Sequence, residues 1–460
     1  MNKILLLIPL FLGGILFSQK RPAQKPKIDF RSDFKKISDE IMLNSTAYEN
    51  LRDLSQNIGP RFSGTPAYDR AVEWAEKKFA ENGGSGIRKQ DVKIPVWERG
   101  QEHFQISTGK GKWKNIRALA MGGSEGTSGK DLIGEILYVP DLVAFNKLPS
   151  AEVRDKIVFF NYAFDQTLIN PAEAYLDAGR YRWSAPSLAS RKNAKAIITR
   201  SATSAFDDVP HTGSMYYDSD DKRKIPALTI GAKSADHLEA LLKKQSVTGK
   251  LITTSGTTGE TIVHNVIAEI PGNRSNSIIL IGAHLDSWDI SQGAHDNGAG
   301  VVQVLEVLRV FKKLNIQNQH TLRFVLFANE ENGVHGGETY AAQVKKSGEK
   351  HLFAIESDAG GYSPRGISLD MIPQRRRQIL ASKHFFLPYG VYDFSKETAA
   401  QDILPLKKLG VPLAELVPDM QRYFDIHHTS EDTFDKINRR ELNLGAVAIA
   451  HMVYLIDNSW

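Results

Sequence analysis

Five stretches of this chain carry the side chain types that hold metal ions and move protons. They are His284-Leu285-Asp286, Asp296 within Gly293-Ala294-His295-Asp296-Asn297-Gly298, Glu330-Glu331, Asp358, and His427-His428-Thr429. Imidazole nitrogen and carboxylate oxygen both bind divalent cations. Counted as ligands, His284, Asp296, Glu331, Asp358 and His428 make two imidazoles and three carboxylates. That is too much charge for one tetrahedral zinc, and it suits two ions that share a carboxylate. Two cations about 3.5 to 4 Å apart would offset repulsion among the acids and bring a bridging water toward neutrality in pKa. In the pair Glu330-Glu331, one residue can bind metal while its neighbour acts as general base and returns the proton to a leaving amine. Asp286 can accept a hydrogen bond from the other ring nitrogen of His284 and so fix its tautomer. Each motif alone is common as solvated loop, and their coincidence in order carries the reading.

The elements that must position them form a regular series. Short, nearly continuous apolar runs at Ile278 to Ile281, Leu322 to Phe327 and Leu352 to Ile355 read as strands buried on both faces. Helical patterns lie at Gly300 to Leu314 and Glu338 to Lys346, with another at Arg375 to His384. This alternation predicts an α/β fold, a mainly parallel sheet with helices on both faces. His284, Glu330-Glu331 and Asp358 each follow a strand, where ligands of such sheets bind. Further upstream, Thr65-Pro66 and Gly83-Gly84 bracket a helix. From about Gly129 to Thr254, short β-like runs alternate with weak helices, as in an inserted module.

Composition narrows the chemistry. The 460 residues include no cysteine, which excludes disulfides, thiol nucleophiles, iron–sulfur clusters and zinc fingers. The balance of 58 basic and 53 acidic residues is mild and unclustered, so nucleic acid is not an expected partner. At the amino end, Asn2 and Lys3 precede an apolar run from Ile4 to Phe17 and then Ser18-Gln19. That pattern predicts a signal peptide over residues 1–19, export to the periplasm or the extracellular space, and no membrane span in the mature chain.

The runs His284 to Asp289, Gly293 to Gly300, Asn329 to Gly333, Glu356 to Gly360 and His427 to Thr433 together resemble the co-catalytic two-zinc exopeptidases, most of all the plasma glutamate carboxypeptidase branch. The likeness extends to Ile58 to Gly64, Pro95 to Gly100, Gly122 to Thr127 and Asp402 to Leu406. The resemblance implies one zinc held by His284 and Asp358, a second by Glu331 and His428, and Asp296 bridging. Glu330 would be the base and Asp286 the orienter of His284. His427, with Tyr423 as rival, would donate a hydrogen bond to the tetrahedral oxyanion. The implied organisation is a peptidase domain over 20–125 and 259–460, interrupted by a protease-associated domain over 126–258. Dipeptides or short peptides would be the substrates, and a homodimer the assembly.

Two other functions compete. Glutaminyl cyclases share the sheet but use a single zinc for acyl transfer, and receptor-like relatives keep both kinds of domain without the ligands. The five-residue ligand set and the base speak against both. The G-x-S-x-G pattern at Gly122 to Gly126 lacks the helix that a nucleophile elbow needs. His295, His335 and His351 have no partners in the sequence and are expected at the surface or in loops.

Overall fold

The computed structural model describes residues 28–109, 111–398 and 400–460. The run from Ile4 to Phe17 lies outside them. Among the described residues, no helix is long and apolar enough to cross a membrane.

Seven strands form the first sheet: β1 (Ser85–Glu98), β2 (Gly256–Ile270), β3 (Ser275–His284), β4 (His320–Phe327), β5 (His351–Glu356), β6 (Pro364–Asp370) and β7 (Leu413–Pro418), in the spatial order β1-β2-β4-β3-β5-β7-β6. The central pairs β4/β3, β3/β5 and β5/β7 are parallel. The outer pairs β1/β2, β2/β4 and β7/β6 are antiparallel. The expectation of a mainly parallel sheet is therefore corrected to a mixed one. The parallel core was visible because strands buried on both faces are continuously apolar. Of the flanking strands, β1 and β2 are partly exposed and β6 is largely buried, and direction leaves no mark on composition.

Alternation along the central strands splits the core in two. Ile279, Ile281 and Ala283 of β3, with Leu322, Phe324 and Leu326 of β4, face a layer built from the helices Phe30–Asn44, Pro66–Glu81, Ala299–Lys313 and Arg439–Ser459. Leu280, Val325 and Phe327 face the helix His335–Ser347 and the segment from Ile403 to Val411. Each large apolar side chain sealed here contributes about 1.5 to 3 kcal/mol. The helix Pro66–Glu81 begins where foreseen, with the Thr65 hydroxyl accepting from the Tyr68 N–H and Pro66 in the first turn.

A second, eight-stranded mixed sheet lies between residues 102 and 253. Strands Glu102–Ser107, Lys114–Ile116 and Ala118–Ala120 belong to it, so this sheet starts before residue 126. One of its faces shares a core with Phe62, Trp97 and Trp288 from the first part of the molecule. In the segment from Gly122 to Gly126, Ser124 is buried and its hydroxyl accepts from the Ala227 N–H, with no helix following.

Candidate metal centre

Strand register delivers the site. His284 pairs with Phe327, and Gly282 pairs with Glu356, so the carboxyl ends of β3, β4 and β5 lie abreast. Asp358 stands two residues beyond Glu356, and Glu330-Glu331 follow Phe327 closely. Asp296 lies in a buried turn before the helix Ala299–Lys313. His427 and His428 follow the short helix Tyr423–Ile426. All nine residues singled out in the sequence fall in this region.

Asp296 sits at its centre. Its Oδ1 is 3.3 Å from His284 Nε2, and the same nitrogen is 3.0 Å from Asp358 Oδ1. Its Oδ2 is 3.3 Å from His428 Nε2, which is 3.1 Å from Glu331 Oε2. One carboxylate thus divides its two oxygens between two groups of donors. His427 stacks on His428 at 3.6 Å between centroids and places its own Nε2 3.3 Å from Asp296 Oδ2. Tyr423 is buried, with its ring 4.9 Å from that of His427.

The imidazoles are held from behind. His284 Nδ1 is 3.1 Å from the Asp286 carbonyl oxygen and 3.5 Å from its Oδ1. His428 Nδ1 is 3.3 Å from the Thr212 carbonyl oxygen, while the Thr212 N–H donates to the His428 carbonyl at 3.0 Å. Assigning the proton of each ring to Nδ1 leaves the Nε2 lone pair facing the carboxylates. His428 holds this position with φ of +61°, a left-handed backbone that costs a non-glycine residue about 1 to 3 kcal/mol. The Asp286 carboxylate, expected only to orient His284, also accepts from the backbone N–H groups of Glu330 at 3.2 Å and Glu331 at 3.4 Å.

The electrostatics of the protein alone are those of too many acids in one place. Burial, then the charge of Asp358, pushes the Glu330 carboxyl well above the usual carboxylate range. Burial and the charge of Asp296 do the same for Glu331. Asp296 goes the other way: burial would raise it, but the imidazoles of His284 and His428 beside it hold it well below the usual range. Asp296 Oδ2 and Glu331 Oε1 are buried without a hydrogen-bond partner among the described residues. Orphaned carboxylate oxygens beside imidazole lone pairs are the donor set of a divalent cation, whose charge would reverse these shifts. Two overlapping groups fit a metal by proximity: His284, Asp296 and Asp358, and Asp296, His427 and His428.

Three supporting residues escaped the reading of the sequence. Arg61, fully buried, donates from Nε to the Leu285 carbonyl at 2.6 Å and from its terminal nitrogens to Gln292 at 2.9 Å and Gly293 at 3.0 Å. It ties the loop after His284 to the loop before Asp296. Asp432 accepts from the backbone N–H groups of His295 at 2.7 Å and Asp296 at 3.0 Å, and burial pushes it up to about 7. Arg182, from the region of the second sheet, stands at the wall of the cavity. Arg61 and Asp432 lie in motifs that carry the family resemblance, and that was their only signal. Arg182 had none.

His351 departs from expectation, and His295, though it lies in a turn, is buried. His295 stacks on Tyr362 at 4.3 Å, with Nδ1 accepting from the Gly361 N–H. His351 is buried at the start of β5, 2.8 Å from the Tyr340 hydroxyl. Their partners are remote in sequence, which is why no local pattern announced them.

The site opens into a cavity of about 530 Å³, lined by Asp296, Glu330, Glu331, Asp358, His427 and His428 and walled by Tyr175, Arg182, Trp183 and Tyr216 from the region of the second sheet.

Comparison with known proteins agrees with this geometry. Residues 265–453 match the profile of Peptidase family M28. The chain is 30% identical over 414 residues to Carboxypeptidase Q of Homo sapiens, spanning 89% of this chain and 85% of that protein. It is 26% identical over 428 residues to Aminopeptidase YwaD of Bacillus subtilis, spanning 89% and 84%. Among solved structures, a Peptidase M28 precursor from Shewanella amazonensis superposes with a TM-score of 0.88 at 32% identity, over 94% of this chain and 97% of that one.

Proposed function

The chain belongs to peptidase family M28 and is a metallo-exopeptidase, and from that premise we propose that it hydrolyses dipeptides or short peptides with two zinc ions per chain. His284 and Asp358 would hold one ion and Glu331 and His428 the other, with the Asp296 carboxylate shared between them. The observation that carries the reading is the division of the Asp296 carboxylate between two imidazoles, each at 3.3 Å. Zinc bound there supplies Lewis acidity toward the scissile carbonyl and activates water near neutral pH.

The residues of the chain do the rest. Glu330, facing the cavity beside Asp358, takes a proton from the attacking water and passes it to the departing amine nitrogen as the C–N bond breaks. His427 or Tyr423 donates a hydrogen bond to the oxygen that becomes negative in the tetrahedral state. Asp286 keeps the Glu330-Glu331 backbone and the His284 ring in place. The same reading includes a protease-associated domain, read from the sequence over 126–258, whose sheet also takes the strands of 102–120, export by a signal peptide over 1–19, and a homodimer. Its support is the sequence resemblance.

The test is hydrolysis of an unblocked dipeptide, abolished by a chelator and restored by zinc. Glu330→Gln should keep two zinc ions per chain and lose turnover by about 10² to 10⁴-fold. Wild-type turnover in that variant would remove Glu330 from its role. A single tightly bound ion would favour acyl transfer of the cyclase kind.

A further inference from the structure

Arg182 is 8% exposed, and among the described residues no carboxylate lies within 4.0 Å of its guanidinium. Its hydrogen bonds go to neutral acceptors: Nε to the Ser214 carbonyl at 3.1 Å, one terminal nitrogen to the Thr212 carbonyl at 3.1 Å, the other to the Tyr175 hydroxyl at 2.7 Å. A guanidinium has five N–H bonds. Two remain, one on each terminal nitrogen, and the two oxygens of a carboxylate can accept both. A buried cation without a counter-ion is costly to hold unless an anion completes it.

Its place indicates which anion. Among the described residues lining the cavity it is the one arginine or lysine, and every acid there, Asp296, Glu330, Glu331 and Asp358, already serves the metal centre. A methyl group placed on Gly213 would come within 2.3 Å of the Arg182 Nη1 and 2.7 Å of His428 Nδ1. The guanidinium and the metal centre thus sit on either side of one small backbone position. One extended residue covers about 3.5 Å, and a charge-assisted hydrogen bond adds about 2.8 Å. That reach fits a carboxylate one residue beyond the scissile bond.

We propose that Arg182 receives the C-terminal carboxylate of the substrate and so makes the enzyme select peptides with one free residue after the scissile bond. The proposal rests on the exopeptidase reading and deepens it. Selection follows from charge: a substrate with a neutral carboxyl end leaves the largely buried guanidinium without a counter-ion.

Arg182 also braces the 212–214 loop against His428, so the test must separate recognition from support. Zinc-loaded wild type and Arg182→Gln are compared on an unblocked dipeptide and on the same dipeptide with its carboxyl as an amide. The wild type should prefer the free acid by about 100-fold in kcat/KM, mostly through KM. Arg182→Gln should abolish that preference, lowering kcat/KM on the free acid far more than on the amide. Arg182→Lys, which keeps the charge and loses the fork, should fall between. An equal fall on both substrates would mean that Arg182 only supports the loop and would overturn the proposal, as would a wild type indifferent to the amide. Hydrolysis of neither substrate by the wild type would overturn the exopeptidase reading itself.

Discussion

Removing the Arg61 guanidinium while keeping its length, in Arg61→Met, sets two costs of opposite sign against each other. Burial pulls Arg61 down to about 10 from its usual 12.5, although the charges of Asp432 and Asp286 support it. At about 1.4 kcal/mol per tenfold, holding it charged at neutral pH costs about 3 kcal/mol, which methionine relieves. Against that, the carbonyls of Leu285 and Gln292 lose their donor, while the Gly293 carbonyl keeps the Gly298 N–H at 2.9 Å. Each orphaned carbonyl costs about 1 to 3 kcal/mol. The carbonyls win, because bonds from a charged donor lie at the upper end of that range, and two of them less the about 3 kcal/mol relieved leave an expected net loss of about 1 to 3 kcal/mol, against the 5 to 15 kcal/mol typical of a folded protein. Urea unfolding of the metal-free protein, followed by circular dichroism, should show a lower midpoint at unchanged slope. Metal must be absent from both proteins, because bound zinc would add its own stabilisation by mass action. A loss below about 1 kcal/mol, or a gain, would refute the view that Arg61 is held by what it donates to these two loops.

Asp286→Asn should weaken zinc binding by about 10 to 100-fold in chelator competition, because an amide cannot accept both the Glu330 and Glu331 N–H groups; unchanged affinity would show that the backbone stands without it. His451 lies far from the metal centre in sequence and packing, stacked on Phe34 at 3.9 Å, and burial pushes it down to about 3. It stays neutral in the fold while the unfolded chain takes up a proton below about 6.5. Its contribution is therefore present above pH 6.5 and is lost as pH falls toward 3. Comparing wild type with His451→Gln over that window, the stability of the wild type should fall more steeply by about 1.4 kcal/mol per pH unit. Equal slopes would mean that the ring is protonated in the fold.

Most of the metal centre was legible in the linear chain because its residues sit at the ends of strands that announce themselves. The apolar runs behind His284, Glu330 and Asp358 can only be strands sealed on both faces, and parallel register brings their ends abreast. The sheet as a whole was less legible. Strands Ser85–Glu98 and Pro364–Asp370 pair antiparallel at its edges, the first largely exposed and the second largely buried. Composition there reports burial alone, and direction is settled by how the chain returns. The second sheet likewise takes strands from 102–120, which sequence texture assigns to the peptidase part.

By itself the sequence determined the chemistry available: nitrogen and oxygen ligands without sulfur, an acid pair able to bind and to carry a proton, and the order in which strands present them. Tertiary structure alone decided what surrounds them. It set Asp296 between two imidazoles, turned Arg61 and Asp432 onto the backbone of the site, and brought Thr212 and Arg182 against His428 from more than 200 residues away. The physical reason is one of range. Periodicity and local propensity act over a few residues, whereas a buried charge is satisfied by whichever partner the packed fold brings to it.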